Sequence, residues 1–199
     1  MTTYRAVARW AALAILSIGP GFLAACSTET AGPLRTLSVG GQPIVDGASV
    51  EIRPGWSADF TAFVVNPLKS PVTLMSASVV PVTGAAPTGH LLHVGISTTD
   101  GLAAALTGWP ITQLPTRPLT GARIGHGKAN IIFGITGSVN GRNYYAAGLR
   151  IRYRYDGQVY AVTAWSATVA CVTSVITMRL SCPDVTNRTQ AKVMRMAQG

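Results

Sequence analysis

Acidic residues are scarce in this chain. Asp and Glu total 7 in 199 residues, against 16 Lys and Arg. They are Glu29, Asp46, Glu51, Asp59, Asp100, Asp156 and Asp184. So thin a set argues against a pair of carboxylates sharing acid and base roles. Several motifs that carry chemistry are also missing. No Gly-x-Ser-x-Gly elbow presents a hydrolase nucleophile. No Cys-x-x-Cys occurs, which removes a common redox and metal pattern. No Gly-x-Gly-x-x-Gly or Walker sequence occurs, and Gly125-His126-Gly127-Lys128 lacks both the following Ser or Thr and a helix behind it. The arginines are dispersed, with no dense basic run, so a nucleic-acid partner is not expected. Nothing in the sequence calls for a cofactor.

What is present begins with charge. The formal net charge is +9, and setting aside Arg5 and Arg9 gives 9 − 2 = +7 for the remainder. That balance allows attraction to anionic lipid, an acidic cell-wall glycan or nucleic acid, and its plainest reading is a solvated basic surface. The two arginines lie in an N-terminal stretch without acids, followed by apolar Trp10–Ala25, which is broken by Ser17 and Gly19-Pro20-Gly21. This is the form of an export signal, too short and interrupted for a membrane span. It ends in Leu23-Ala24-Ala25-Cys26. These residues resemble the lipobox of bacterial lipoproteins. The resemblance implies a signal peptide over 1–25, lipidation of Cys26 by diacylglycerol and palmitate-type chains, and a membrane anchor on the extracytoplasmic side. Two or three acyl chains hold a protein stably where one does not. No Arg-Arg pair precedes the apolar run, which favours the general export route. Residues 26–34 then read as a small, polar tether.

The body, 35–185, is patterned for strands. Glycine and proline number 21 and 12, so turns are frequent. The clearest segment is Gly148–Trp165. Leu149, Ile151, Tyr153 and Tyr155 alternate with Arg150, Arg152 and Arg154, and Asp156-Gly157 supplies a type I′ turn into a return strand over Val159–Val169. Further strands are expected at 35–39, 49–53, 58–66, 72–82, 90–96, 129–136 and 171–180. Both faces of 58–66 carry apolar residues, which predicts a central position. One or two helical turns are expected at 101–106, an irregular loop at 107–119, and a frayed tail or short helix at 186–199. The order over Val50–Val82, with its polar Pro/Gly turn, resembles the early strands of secreted immunoglobulin-like domains. Eight or nine strands fit an all-β, immunoglobulin-like antiparallel β-sandwich, with a small β-barrel as the alternative.

With Cys26 assigned to lipid, Cys171 and Cys182 form an even pair in an exported domain, and a disulfide between them is expected. Two residue sets carry functional readings. Arg150, Arg152 and Arg154 lie about 6–7 Å apart along one strand face and suit phosphates or carboxylates. Their plainer role is a wet face that suppresses edge pairing. His90, His93 and His126 are the three histidines, and with Met75 they supply zinc or copper ligand types. On a regular strand positions 90 and 93 face opposite sides, so they meet only if one lies in the preceding turn. The expected object is a lipid-anchored binding or envelope-associated structural module, its partner an envelope protein or anionic glycan. A histidine-based or metal-dependent hydrolase and a metal-binding lipoprotein are the alternatives.

Overall fold

In the computed structural model the described residues are 32–53, 57–83, 90–97, 105–107, 116–136, 143–172 and 182–198. The expected signal segment, Cys26 and most of the tether lie outside them. The chain enters through three two-residue strands, β1 (Arg35–Thr36), β2 (Ser38–Val39) and β3 (Gln42–Pro43), and continues into β4 (Asp46–Ile52). Next come β5 (Ser57–Asn66), β6 (Val72–Val80), β7 (His90–Ser97), β8 (Ala105–Thr107), β9 (Thr116–Pro118) and β10 (Arg123–Ile124). The long strands β11 (Gly127–Thr136), β12 (Tyr144–Tyr155) and β13 (Gln158–Val172) follow, and helix α1 (Pro183–Gln198) closes the order.

These strands form an almost entirely β-stranded domain whose main sheet curls into a half-barrel. One sheet runs β1-β5-β11-β7-β9, with β8 also on β5; the other runs β10-β6-β12-β13-β4; β2 and β3 pair apart. Between the two large sheets lies the main core. It takes Phe60, Ala62 and Val64 from β5, Ile131, Phe133 and Ile135 from β11, and Leu149, Ile151 and Tyr153 from β12. Phe60 and Phe133 meet at 5.8 Å between ring centroids. β5 is central, as its two apolar faces predict: Asp59, Thr61 and Phe63 on its other face are buried too. Buried Asn66 ties the sheets at a corner, its amide donating to Ser70 O at 2.9 Å and Ile124 O at 3.1 Å.

Several expectations are corrected. β4 pairs with β13 in parallel, from Ser166↔Asp46 to Val172↔Ile52, so the sheets are not purely antiparallel. Residues 105–107 are strand, not helix, because β8 adds to β5 beside Phe60 and Asp59. The expected loop contains β9, paired with β7. The strand assigned to 171–180 is, as far as the described residues go, the end of β13 at Val172. Leu34, assigned to the tether, is 2% exposed within the core.

Of the frayed tail or short helix expected over 186–199, the helix forms, and it is longer than expected, 16 residues over Pro183–Gln198. Pro183 suits the first helical turn, where its missing N–H costs nothing. Thr189, Val193, Met196 and Ala197 recur at 0, +4, +7 and +8, one face of a helix. Val193 and Met196 join Val45, Val82, Ala147, Ala167 and Trp165 in a second, smaller core on the outside of the β12–β13 sheet. Cys171 and Cys182 are disulfide-bonded with Cα atoms 6.5 Å apart, joining β13 to the start of the helix. This bond is consistent with an oxidising, non-cytoplasmic compartment.

Candidate functional site

The β12–β13 hairpin builds the candidate face. Asp156 and Gly157 have φ of +47° and +73°, as a type I′ turn requires. Along β12, Ile151 and Tyr153 are fully buried, whereas Arg150, Arg152 and Arg154 are exposed. Neighbouring strands surround the arginines with small polar or apolar positions. Arg150 lies between Ser78 and Thr163, Arg152 between Ser76 and Ala161, and Arg154 between Thr73 and Val159. None of these six register neighbours is an acid.

A bulge in β6 extends the row. Arg152 opposes Ser76 and Tyr153 opposes Leu74, which leaves Met75 as the extra residue. The bulge brings Thr73 back to the arginine side, and Thr73 is also the register partner of Arg123. Arg123 thus stands two strands from Arg154, about 10 Å away. Arg117 reaches the same corner, donating to Arg123 O at 3.1 Å. Met75 belongs to this sheet, whereas His90 and His93 belong to β7 in the other.

An open groove of ≈ 340 Å³ flanks the row, lined by Ala161, Thr163 and Trp165 of β13 and by Gly32, Leu34, Arg35 and Thr36. Arg35 lines this groove with Trp165 and donates to Gly32 O at 3.1 Å. The aromatic residues of the hairpin divide between its faces. Tyr153 and Tyr160 stack at 5.7 Å on the inner side, while Trp165 stays outside, opposite Gly148. Gly148 has φ +144°, and a Cβ there would strike the Ala164 carbonyl, so only glycine fits. Tyr153 Oη accepts the Leu34 N–H at 3.1 Å, fixing the entering chain beside the hairpin.

The histidines do not gather as a trio. His126 is exposed before β11, beside Gly127, which pairs with Asn66. His93 and His90 pair with Gly134 and Thr136 at the opposite end of that strand, roughly 24 and 31 Å away at 3.4 Å per residue. The expectation for positions 90 and 93 is also corrected. A register shift leaves Leu92 unpaired, so both histidine positions fall on the same parity of β11. Among the described residues no group of three His, Cys, Asp or Glu side chains is arranged to hold a metal.

Asp59 is a feature the sequence did not single out beyond its presence. It is 1% exposed, and among the described residues neither carboxylate oxygen has a hydrogen-bond partner. Gly134, its register partner on β11, offers no side chain. Burial pushes its pKa up from 3.8 to about 7.

No family model matches the chain, and no curated protein matches it in sequence.

Proposed function

We propose that this chain is an extracytoplasmic, lipid-anchored binding module with an immunoglobulin-like domain, holding an anionic envelope partner on its arginine face. The observation that carries the reading is the exposed row Arg150, Arg152 and Arg154, flanked by six non-acidic register neighbours. A guanidinium presents a planar fork that matches phosphate or carboxylate oxygens. Strands hold the three forks at a fixed spacing, so a repeating anion is met by a preformed surface. The disulfide and the lipobox resemblance support the address, with Cys26 as the anchor. In this reading the module acts by binding, with the arginines supplying recognition of the anion.

The test is a pull-down from solubilised envelope, with bound species identified by mass spectrometry. The intact protein captures an anionic glycan or an acidic protein in stoichiometric amount. Replacing Arg150, Arg152 and Arg154 with Ser abolishes that capture while leaving the melting temperature unchanged. Equal capture by both proteins would sink the reading.

A further inference from the structure

The entering chain meets the inner side of the hairpin whose outer side carries the arginines. Gly32 packs against Tyr153 and Tyr160 so closely that a Cβ has no room. Tyr153 sits between Arg152 and Arg154 in the hairpin. Cys26 is six residues before Gly32. Six residues span at most about 20 Å when fully extended. A lipid on Cys26 therefore keeps this hairpin within about 20 Å of the membrane surface.

The arginine side of the sheet carries a second cationic element. Helix α1 packs over the far half of the outer sheet surface, through Val193, Met196 and Ala197 on Ala147, Trp165 and Ala167. Its solvent side holds Arg188, Lys192 and Arg195, spaced +4 and +7 along one stripe. Lys192 and Arg195 line an open cleft of ≈ 380 Å³ with Thr83 and Met196. Exposed apolar residues are interspersed: Val159, 41% exposed beside Arg154, and Met194, 44% exposed on the helix. Cations mixed with isolated apolar side chains are the composition of a surface that rests in a headgroup layer.

We infer that this face docks on the anionic phospholipid surface to which the chain is tethered, with Arg150, Arg152, Arg154 and Arg123 on headgroup phosphates. The inference rests on the anionic-partner reading above and names the partner as lipid. Tethering makes contact with the surface intramolecular, so weak individual contacts suffice. Each cation near an anionic membrane strengthens attachment several-fold, and removing three weakens it about 100-fold.

The test uses the full lipidated protein in vesicles. An environment-sensitive dye is attached through Ser76→Cys, between the arginine row and the edge of its sheet. In phosphatidylcholine vesicles containing phosphatidylglycerol the dye emission shifts to the blue. In phosphatidylcholine alone it does not. The shift reverses in high salt and is absent when Arg150, Arg152 and Arg154 are replaced by Ser, with the melting temperature of each variant confirming the fold. No shift on phosphatidylglycerol, or an equal shift in the arginine variant, overturns the inference. Soluble polyglycerol phosphate separates the two levels. A response to it without one to the vesicles refutes lipid docking and leaves the anionic-partner reading standing; no response to either refutes both.

Discussion

Replacing Asp59 with Asn separates burial from charge at one position. The carboxyl is 1% exposed, and neither oxygen has a hydrogen-bond partner among the described residues. Its neighbours along and across the strands include Thr61, Phe63, Ile132 and Gly134. An ionised carboxylate there loses its water and gains no counter-charge, which raises its pKa from 3.8 to about 7. The folded state therefore holds the proton more tightly than the unfolded chain. Below about pH 3.8 both states are protonated and the full stability is present. Between pH 3.8 and 7 the unfolded chain releases its proton first, so stability falls as pH rises; above 7 the loss levels off. A shift of 7 − 3.8, about 3 units, corresponds to at most ~4 kcal/mol. Asn keeps the shape and cannot ionise. At pH 8 the Asp59→Asn protein should be the more stable by up to ~4 kcal/mol, roughly 8–16 °C in melting temperature for a domain of this size. At pH 4 the two should agree within ~1 kcal/mol. Urea or thermal melts across this range, read as the difference between the two proteins, cancel every other titrating group. A difference that stays flat with pH, or a wild type more stable than the Asn protein at pH 8, would falsify the claim of an unpaired buried carboxyl.

Other substitutions check the framework. Cys182→Ser removes the link across 11 residues and should cost ~3 kcal/mol, with hydrogen exchange in α1 rising well above that in β12. Gly148→Ala forces a side chain into φ +144° against the Ala164 carbonyl, for a loss of ~2 kcal/mol or more in a denaturant melt. Tyr153→Phe leaves the buried ring but deletes the acceptor for Leu34 N–H, so ~1 kcal/mol is lost and residues 32–36 become more open to protease. Should that variant keep the protease resistance of the wild type, the hydroxyl does not hold the entering chain.

Sequence patterning revealed this protein where one residue's neighbours decide its place. The Arg-x-Arg-x-Arg alternation and the Asp156-Gly157 turn read directly as a two-faced hairpin, because strand period and turn chemistry are local. The Cys171–Cys182 disulfide was legible from cysteine count and the expected export. What escaped depended on partners distant in the chain. The parallel pairing of β4 with β13 joins residues more than 100 positions apart and leaves no local mark. Helix α1 did carry a signal, Thr189-Val193-Met196-Ala197, but it was diluted by arginines and polar residues and became decisive only once Ala147, Trp165 and Ala167 supplied a surface to cover. Arg123 and Arg35 looked isolated because bulges and edge pairing, not sequence spacing, bring them beside the hairpin. The parity of His90 and His93 turned on a single extra residue, Leu92, that no alternation rule anticipates.

The central claim is that the arginine face is occupied in the envelope. The most direct measurement is arginine-specific chemical labelling, read by mass spectrometry, on intact envelope and on the purified, detergent-solubilised protein. The account predicts that Arg150, Arg152 and Arg154 react in the purified protein and are protected in the envelope, while Arg53, at the end of β4, reacts alike in both. Equal labelling of the three arginines in the two samples would contradict it and return the row to a solvated sheet surface.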